Sequence, residues 1–149
     1  MTEVKLNPDE IYEGLVYTFI SEKLKPANGI EMKSETEEST GKRPFVCVKL
    51  VGDVSYWAEI TSQRKLNDNG DDLRLPVLKE CRKTENNYSK SSRWIDDPQY
   101  IHGCLYKGPN IAFCNAGDDT RGNGKRRYVS LEGVQRIKDF FNKYKNSKL

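Results

Sequence analysis

The residues best suited to chemistry flank a predicted β-hairpin. Arg43 lies nine residues before Gly52, and Thr61 lies eight residues after Asp53. A Gly-Asp pair between two valines predicts a two-residue turn, and such a turn pairs its flanking strands antiparallel. Because the two spacings are nearly equal, we expect the Arg43 guanidinium and the Thr61 hydroxyl to meet at the open end of the hairpin.

Further polar side chains cluster at this predicted strand end and extend the candidate site. They are Lys42, Ser62, Gln63 and Arg64. A guanidinium presents a fork of donors that matches a phosphate, and hydroxyl and amide groups add neutral donors. The group suits metal-free cleavage of RNA, in which a ribose 2′-hydroxyl attacks the adjacent phosphate and Arg43 stabilises the developing charge. The alternative is that Arg43 is an ordinary surface cation and Thr61 a capping hydroxyl.

A basic, glycine-rich stretch before the last predicted helix is a second candidate contact for RNA. Its cations are Arg121, Lys125, Arg126 and Arg127. They can bind RNA phosphates, and the glycines allow a close approach of the backbone. A solvated basic turn explains the same residues equally well.

The sulfur and imidazole groups do not predict a metal site. Cys47, Cys81, Cys104 and Cys114 are widely spaced without a CxxC motif, which is typical of reduced, buried thiols. His102 and Cys104 alternate on a predicted strand and so share a face, yet no second pair has ligand spacing. His102 is expected to be structural, with a role as general base as the alternative.

The chain of 149 residues is mildly basic, with a formal net charge of +3 and a pI near 8.6. This charge is compatible with a local phosphate site but is too small to diagnose nucleic-acid binding. No apolar stretch approaches the length of a membrane span, and no signal-peptide pattern opens the chain. We therefore predict one cytoplasmic domain over residues 1–149, with no membrane partner and no cofactor.

Hydrophobic patterning predicts a mainly β fold with helices (α+β). The predicted strands cover residues 15–20, 45–51, 55–60, 73–80, 99–106 and 110–116, and a long loop covers about residues 21–42. Apolar residues at three- and four-residue steps predict an amphipathic C-terminal helix over about residues 131–145, capped by Ser130. Strands in this number are too few for two full sheets, so we expect a small half-open, SH3-like antiparallel barrel.

Four short motifs occur in an order that resembles the MazF/PemK (Kid) family of toxins. They are "YEGLVYTF", "GKRPFVCV", "ITSQ" and "LRLPVLKE", and together they span roughly residues 11 to 80. The chain beyond them does not match the second half of ordinary members of the family.

The resemblance implies a metal-independent endoribonuclease of a toxin–antitoxin system, a homodimer that cuts single-stranded RNA and is neutralised by a protein antitoxin. It places the catalytic arginine on Arg43 and the catalytic threonine on Thr61, with Ser62 and Gln63 as substrate contacts. The related ToxN-type toxins, which have an RNA antitoxin, place a cation three residues after the threonine, where Arg64 lies here. The competing hypothesis is a non-catalytic barrel that binds RNA or a protein partner.

Overall fold

The computed structural model describes residues 6–33, 39–85, 93–118, 126–144 and 149. Its strands are β1 (Leu15–Ile20), β2 (Glu31–Met32), β3 (Lys42–Val51), β4 (Val54–Thr61), β5 (Leu75–Pro76), β6 (Arg82–Thr84), β7 (Tyr100–Pro109) and β8 (Arg127–Val129). Its α-helices are α1 (Arg93–Asp96), α2 (Asn110–Ala116) and α3 (Leu131–Tyr144). Short 3-10 turns cover Pro8–Glu10, Ser21–Lys23, Pro26–Asn28 and Lys79–Cys81.

The strands form one antiparallel sheet in the order β2-β7-β4-β3-β1-β8-β6, and β5 also pairs with β7. The predicted fold class, mainly β with helices, is therefore confirmed. The predicted barrel is not confirmed. In the described ranges no pairing joins the edge strands β2 and β6, so this sheet is open. Because β7 lies between β2 and β4, strands from late in the chain complete the sheet around the β3–β4 hairpin.

The β3–β4 hairpin forms around the predicted turn, where Gly52 has a φ of 57°. The register skips Val48, which leaves one extra residue in β3. This bulge absorbs the difference between the nine-residue and eight-residue spacings. The outermost pair of the ladder is Phe45 with Glu59, and the same register two residues further places Arg43 opposite Thr61.

Alternating side chains of the sheet feed two apolar clusters on its opposite faces. One is rich in aromatic rings, and the Phe19 and Trp57 rings meet edge-on there with centroids 4.7 Å apart. The other is mainly aliphatic and is covered by α3, which buries Val134, Ile137 and the Phe141 ring against it. The two clusters fix the sheet from both sides, so its strand ends are held in place for a site.

Helix α3 confirms the predicted C-terminal helix to within one residue. The Ser130 hydroxyl accepts a hydrogen bond from the Gly133 backbone N–H at 3.2 Å, as expected of a cap. Within the ranges that the structure describes, no helix has both the length and the apolar content needed to cross a membrane.

The predicted strand over residues 110–116 is wrong, since this segment is helix α2. Pro109 ends the pairing of β7 with β4, and the Asn110 N–H then donates to the Asp53 carbonyl at the hairpin tip. Helical geometry lets Phe113 and Ala116 face the aromatic cluster together. A short apolar run of this kind is compatible with a strand or a helix. Here the contact of Asn110 with the hairpin tip favours the helix.

Two other boundaries differ from the predictions. The expected loop over residues 21–42 contains two 3-10 turns and strand β2, and Lys42 already belongs to β3; residues 34–38 lie outside the described part. The expected strand over residues 73–80 is reduced to Leu75–Pro76, where the missing N–H of Pro76 ends the ladder. The segment after it, where no strand was predicted, supplies β6, which pairs with β8.

Candidate functional site

A pocket of about 460 Å³ opens where the hairpin strands β3 and β4 end beside β7. This volume lies within the usual range of small-molecule sites. Its wall includes five residues predicted from sequence as catalytic or substrate-binding: Arg43, Thr61, Ser62, Gln63 and Arg127. The predicted convergence of the Arg43 and Thr61 strand ends is therefore present, and the pocket adds residues that the sequence patterns did not indicate.

Local hydrogen bonds orient the two predicted catalytic residues. The exposed Arg43 side chain donates from Nε to the Thr40 carbonyl at 3.0 Å, which leaves both terminal amino groups of the guanidinium outside that bond. The Thr61 hydroxyl accepts the Gln63 N–H at 3.2 Å. The hydroxyl thus has the capping bond of the alternative interpretation, while its own proton remains able to donate to a ligand.

Lys42 and Arg64, both predicted to contact substrate, are not part of the pocket wall. The Lys42 ammonium lies 2.7 Å from an Asp118 carboxylate oxygen. Arg64 holds Asp72 through two hydrogen bonds of 2.6 and 3.2 Å, and this pairing lowers the pKa of the Asp72 carboxyl. These ion pairs direct both cations away from the pocket.

The basic stretch before α3 contributes to the pocket only through Arg127 among its described members. Arg126 is buried, and its Nη1 lies 2.6 Å from Glu10 Oε2, so its charge is matched inside the protein. The Arg127 guanidinium donates to the Thr18 hydroxyl at 3.2 Å and also lines the pocket. Arg121 and Lys125 lie outside the described residues.

Two further arginines, Arg74 and Arg93, line the pocket and were not predicted. Arg74 donates to the Gln63 carbonyl at 2.7 Å, which links it to the polar strip at the end of β4. Arg93 begins α1, and the buried Arg82 holds this helix by donating to the carbonyls of Trp94 and Asp97. The sequence patterns did not single out either side chain, although Arg74 lies within the LRLPVLKE motif, because loop and helix bring them to the hairpin from separate parts of the chain.

A carboxylate and an imidazole share the pocket with the arginines. Glu59 is only 7% exposed, and its Oε1 has no hydrogen-bond partner among the described residues. One carboxylate oxygen of Glu59, one ring nitrogen of His102 and the Cys104 sulfur all lie within 4.8 Å of one another. A carboxylate at this distance stabilises a positive charge on an imidazole by electrostatic attraction.

An irregularity in β7 explains how these three residues meet. The flanking pairs are Ala58 with Leu105 and Ile60 with Ile101. Between them β4 has one residue and β7 has three, so residues 102–104 all lie opposite Glu59. Alternation along β4 already places Glu59 on the same side as Thr61, which was an available signal; the bulge in β7 was not visible in the sequence.

The pocket wall near the ends of β1 and β3 is anchored to the core. The buried Ser39 lines the pocket, and its hydroxyl oxygen lies 2.6 Å from that of Ser21. The Ser39 N–H also donates to the Tyr106 hydroxyl at 3.1 Å, so the segment that precedes β3 is tied to β7. Such buried bonds hold the approach to Arg43 in one conformation.

With four arginines and two acidic groups, Glu59 and Asp97, the pocket wall carries an excess of positive charge and suits an anionic ligand. Comparisons of the chain with family models, with curated proteins and with solved structures find no match. The case for a function therefore stands on the geometry of the site and on the motifs of the sequence.

Proposed function

We propose that this protein is an endoribonuclease that cleaves single-stranded RNA by attack of a ribose 2′-hydroxyl on the neighbouring phosphate, without a metal ion. The observation that supports this most is the pocket, which joins Arg43 and Thr61 to three further arginines and to the Glu59–His102 pair. Cations for a phosphate and groups for proton transfer therefore lie in one cavity.

The arginines supply the electrostatic part of the reaction. Arg43, Arg74, Arg93 and Arg127 line the pocket, and guanidinium groups form paired hydrogen bonds with phosphate oxygens. Negative charge builds up on these oxygens as the 2′-oxygen attacks, so donors already in place stabilise the transition state more than the ground state. Removing one such donor lowers the rate by about 10²–10³. Thr61, Ser62 and Gln63 add neutral donors that position the phosphate.

Proton transfer requires a different group, since an arginine stays protonated at neutral pH. His102 accepts the proton of the 2′-hydroxyl, the 2′-oxygen bonds to phosphorus, and the bond from phosphorus to the 5′-oxygen breaks. That oxygen takes a proton from water, which leaves a 2′,3′-cyclic phosphate on one fragment and a 5′-hydroxyl on the other, and His102 later returns its proton to solvent. The Glu59 carboxylate, within 4.8 Å of the ring, stabilises the imidazolium that forms.

The likeness to the MazF/PemK toxins belongs to the same proposal. It adds a half-open SH3-like barrel, a cytoplasmic homodimer, and an antitoxin partner made of protein, or of RNA as for the ToxN-type toxins. The pairing of β1, β3 and β4 supports it, because these strands carry three of the four motifs and bring Arg43 and Thr61 to one end.

The test is incubation of the purified protein with a long single-stranded RNA in excess chelator, with the fragment ends identified. We expect discrete fragments with 5′-hydroxyl and cyclic phosphate ends. Arg43→Ala and His102→Gln are each expected to lower the cleavage rate by about 10²-fold or more. Arg136→Ala is the matched control, since Arg136 lies on α3 outside the pocket, and it should cleave like the wild type.

Intact RNA across substrates of varied sequence would contradict the nuclease. If the protein then still bound RNA, with an affinity that falls steeply with salt, the non-catalytic binding module would replace it. Cleavage that survives Arg43→Ala and His102→Gln equally would instead move the reaction out of this pocket.

A further inference from the structure

The three residues Glu59, His102 and Cys104 form a cluster with the chemistry of a metal site. Their candidate donor atoms are a carboxylate oxygen, a ring nitrogen and a thiol sulfur, all within 4.8 Å of one another. The sequence predicted no metal site because only His102 and Cys104 share a strand. The third donor comes from β4, and the β7 bulge brings it into range.

The donor set favours Zn²⁺ over Mg²⁺ and Ca²⁺. Zinc is bound by thiolate, imidazole and carboxylate, whereas Mg²⁺ and Ca²⁺ prefer oxygen donors alone. Three protein ligands leave one of the four tetrahedral positions open to water. Around such an ion the donor atoms lie about 3.3–3.8 Å apart. Side-chain rotations that move the donor atoms by about 1 Å would therefore bring the three into ligating positions.

The burial of Glu59 is an independent sign of a missing ligand. The side chain is 7% exposed, and Oε1 has no hydrogen-bond partner within the described ranges. A buried carboxylate oxygen without a partner is unfavourable, and a bound cation removes this penalty. Cys104 is fully buried, and its thiol makes a weak contact with the Met32 sulfur at 3.9 Å.

We propose that Glu59, His102 and Cys104 bind a zinc ion and that its binding switches off RNA cleavage in the pocket. The second half rests on the proposed function. On binding, the Cys104 thiol releases its proton to solvent and its sulfur coordinates the ion as thiolate. A neutral imidazole has one free lone pair. Once His102 donates this pair to zinc, its other ring nitrogen carries a hydrogen, and the ring can no longer accept a proton from RNA.

Cobalt binding tests the site without reference to activity. Reduced, metal-free protein is titrated with Co²⁺, which can replace zinc in its binding sites. A thiolate bound to Co²⁺ gives a charge-transfer absorption band in the near ultraviolet. We expect this band in the wild type, its disappearance on addition of Zn²⁺, and its loss in Cys104→Ser. Cys114→Ser is the matched control, because Cys114 is also a buried free thiol but lies outside the cluster.

His102→Gln and Glu59→Gln each remove one ligand and should weaken cobalt binding by at least about tenfold. Even the loss of a group that only hydrogen-bonds to a metal ligand lowers metal affinity by about that factor. Circular dichroism shows that each variant is folded. A wild-type titration without the thiolate band would overturn the site, as would a band that persists in Cys104→Ser.

The inhibition is tested with Cys104→Ser in the RNA assay. This variant is expected to cleave at the wild-type rate in chelator and to keep cleaving when Zn²⁺ is added, whereas the wild type stops. Equal inhibition of both proteins would overturn the switch. Cobalt binding through Cys104 in a protein that never cleaves RNA would uphold the metal site and refute the proposed function together with the switch.

Discussion

The two faces of the sheet differ in how they treat polar groups. The face under α3 is mainly aliphatic, with Val46, Ile60 and Ile137 almost fully buried. The aromatic face buries Trp57 and Phe45 equally well, but the strands that carry them continue into Glu59 and Arg43 at the pocket. Of the described cluster on the first face, only Ile60 and Trp94 reach the pocket wall, whereas the second face gives up apolar packing at its edge to hold a charged site.

The aromatic face also contrasts a matched charge with an unmatched one. The buried Arg126 lies over the Tyr17 ring and is held by Glu10, whereas the Glu59 Oε1 has no partner among described residues. An ion-paired buried arginine is compatible with a structural role, whereas a buried carboxylate oxygen without a hydrogen-bond partner is unfavourable for folding. This difference indicates that the functional part of the aromatic face is the pocket around Glu59 and not the Glu10–Arg126 pair.

The largest expected effect on stability concerns the α3 face. Phe141 is fully buried, and Phe141→Ala leaves a cavity, so the free energy of unfolding should fall by about 3–5 kcal/mol. Urea denaturation measures this loss. Leu131→Ala is the control on the same helix, because Leu131 is 72% exposed and should change stability by less than about 0.5 kcal/mol. Equal effects of the two variants would contradict the packing of α3.

The Glu10–Arg126 pair should show a stabilising charge on the aromatic face. The hydrogen bond from Arg126 lowers the pKa of Glu10 below its ordinary 4.5 in the folded protein. A lowered folded-state pKa contributes stability above pH 4.5, and this contribution is lost as the pH falls through the folded value. Glu10→Gln should therefore destabilise by about 1.5 kcal/mol at pH 7, with a difference from wild type that shrinks below pH 4.5. A pH-independent difference in denaturation would refute the pairing.

Glu59→Gln should have the opposite sign. Replacing an unmatched buried carboxylate by a neutral amide of the same shape is expected to raise the free energy of unfolding by about 1 kcal/mol, measured in chelator at pH 7. RNA cleavage should fall in the same protein, because His102 loses the charge that stabilises its protonated ring. A variant that is less stable than the wild type would show that Glu59 is a structural group.

Arg43→Ala is expected to have the smallest effect on stability, within about 0.5 kcal/mol, because the side chain is exposed. The variant tests whether the pocket edge is separable from the core, since it should lose cleavage while its denaturation curve coincides with that of the wild type. A large loss of stability would place Arg43 among the structural residues instead.

Local signals predicted the elements that need no distant partner. The Gly52-Asp53 turn, the strands on either side of it and the Ser130 cap of α3 each follow from neighbouring residues, and all are present. Segments whose form depends on distant contacts were predicted less well. Residues 110–116 became a helix because the hairpin tip meets Asn110, and β6 forms only because β8 lies beside it.

Local sequence is enough to predict the hairpin and to place Arg43 and Thr61 at the same open end, because a two-residue turn pairs the strands on either side of it. The final register also depends on the bulge at Val48. Which charged side chains line the pocket depends on tertiary contacts. Lys42, Arg64 and Arg126 form ion pairs outside the pocket wall, whereas Arg74 and Arg93 are part of it. The reason is that pairing of charges and the β7 bulge depend on contacts between segments far apart in the chain, which no local pattern encodes.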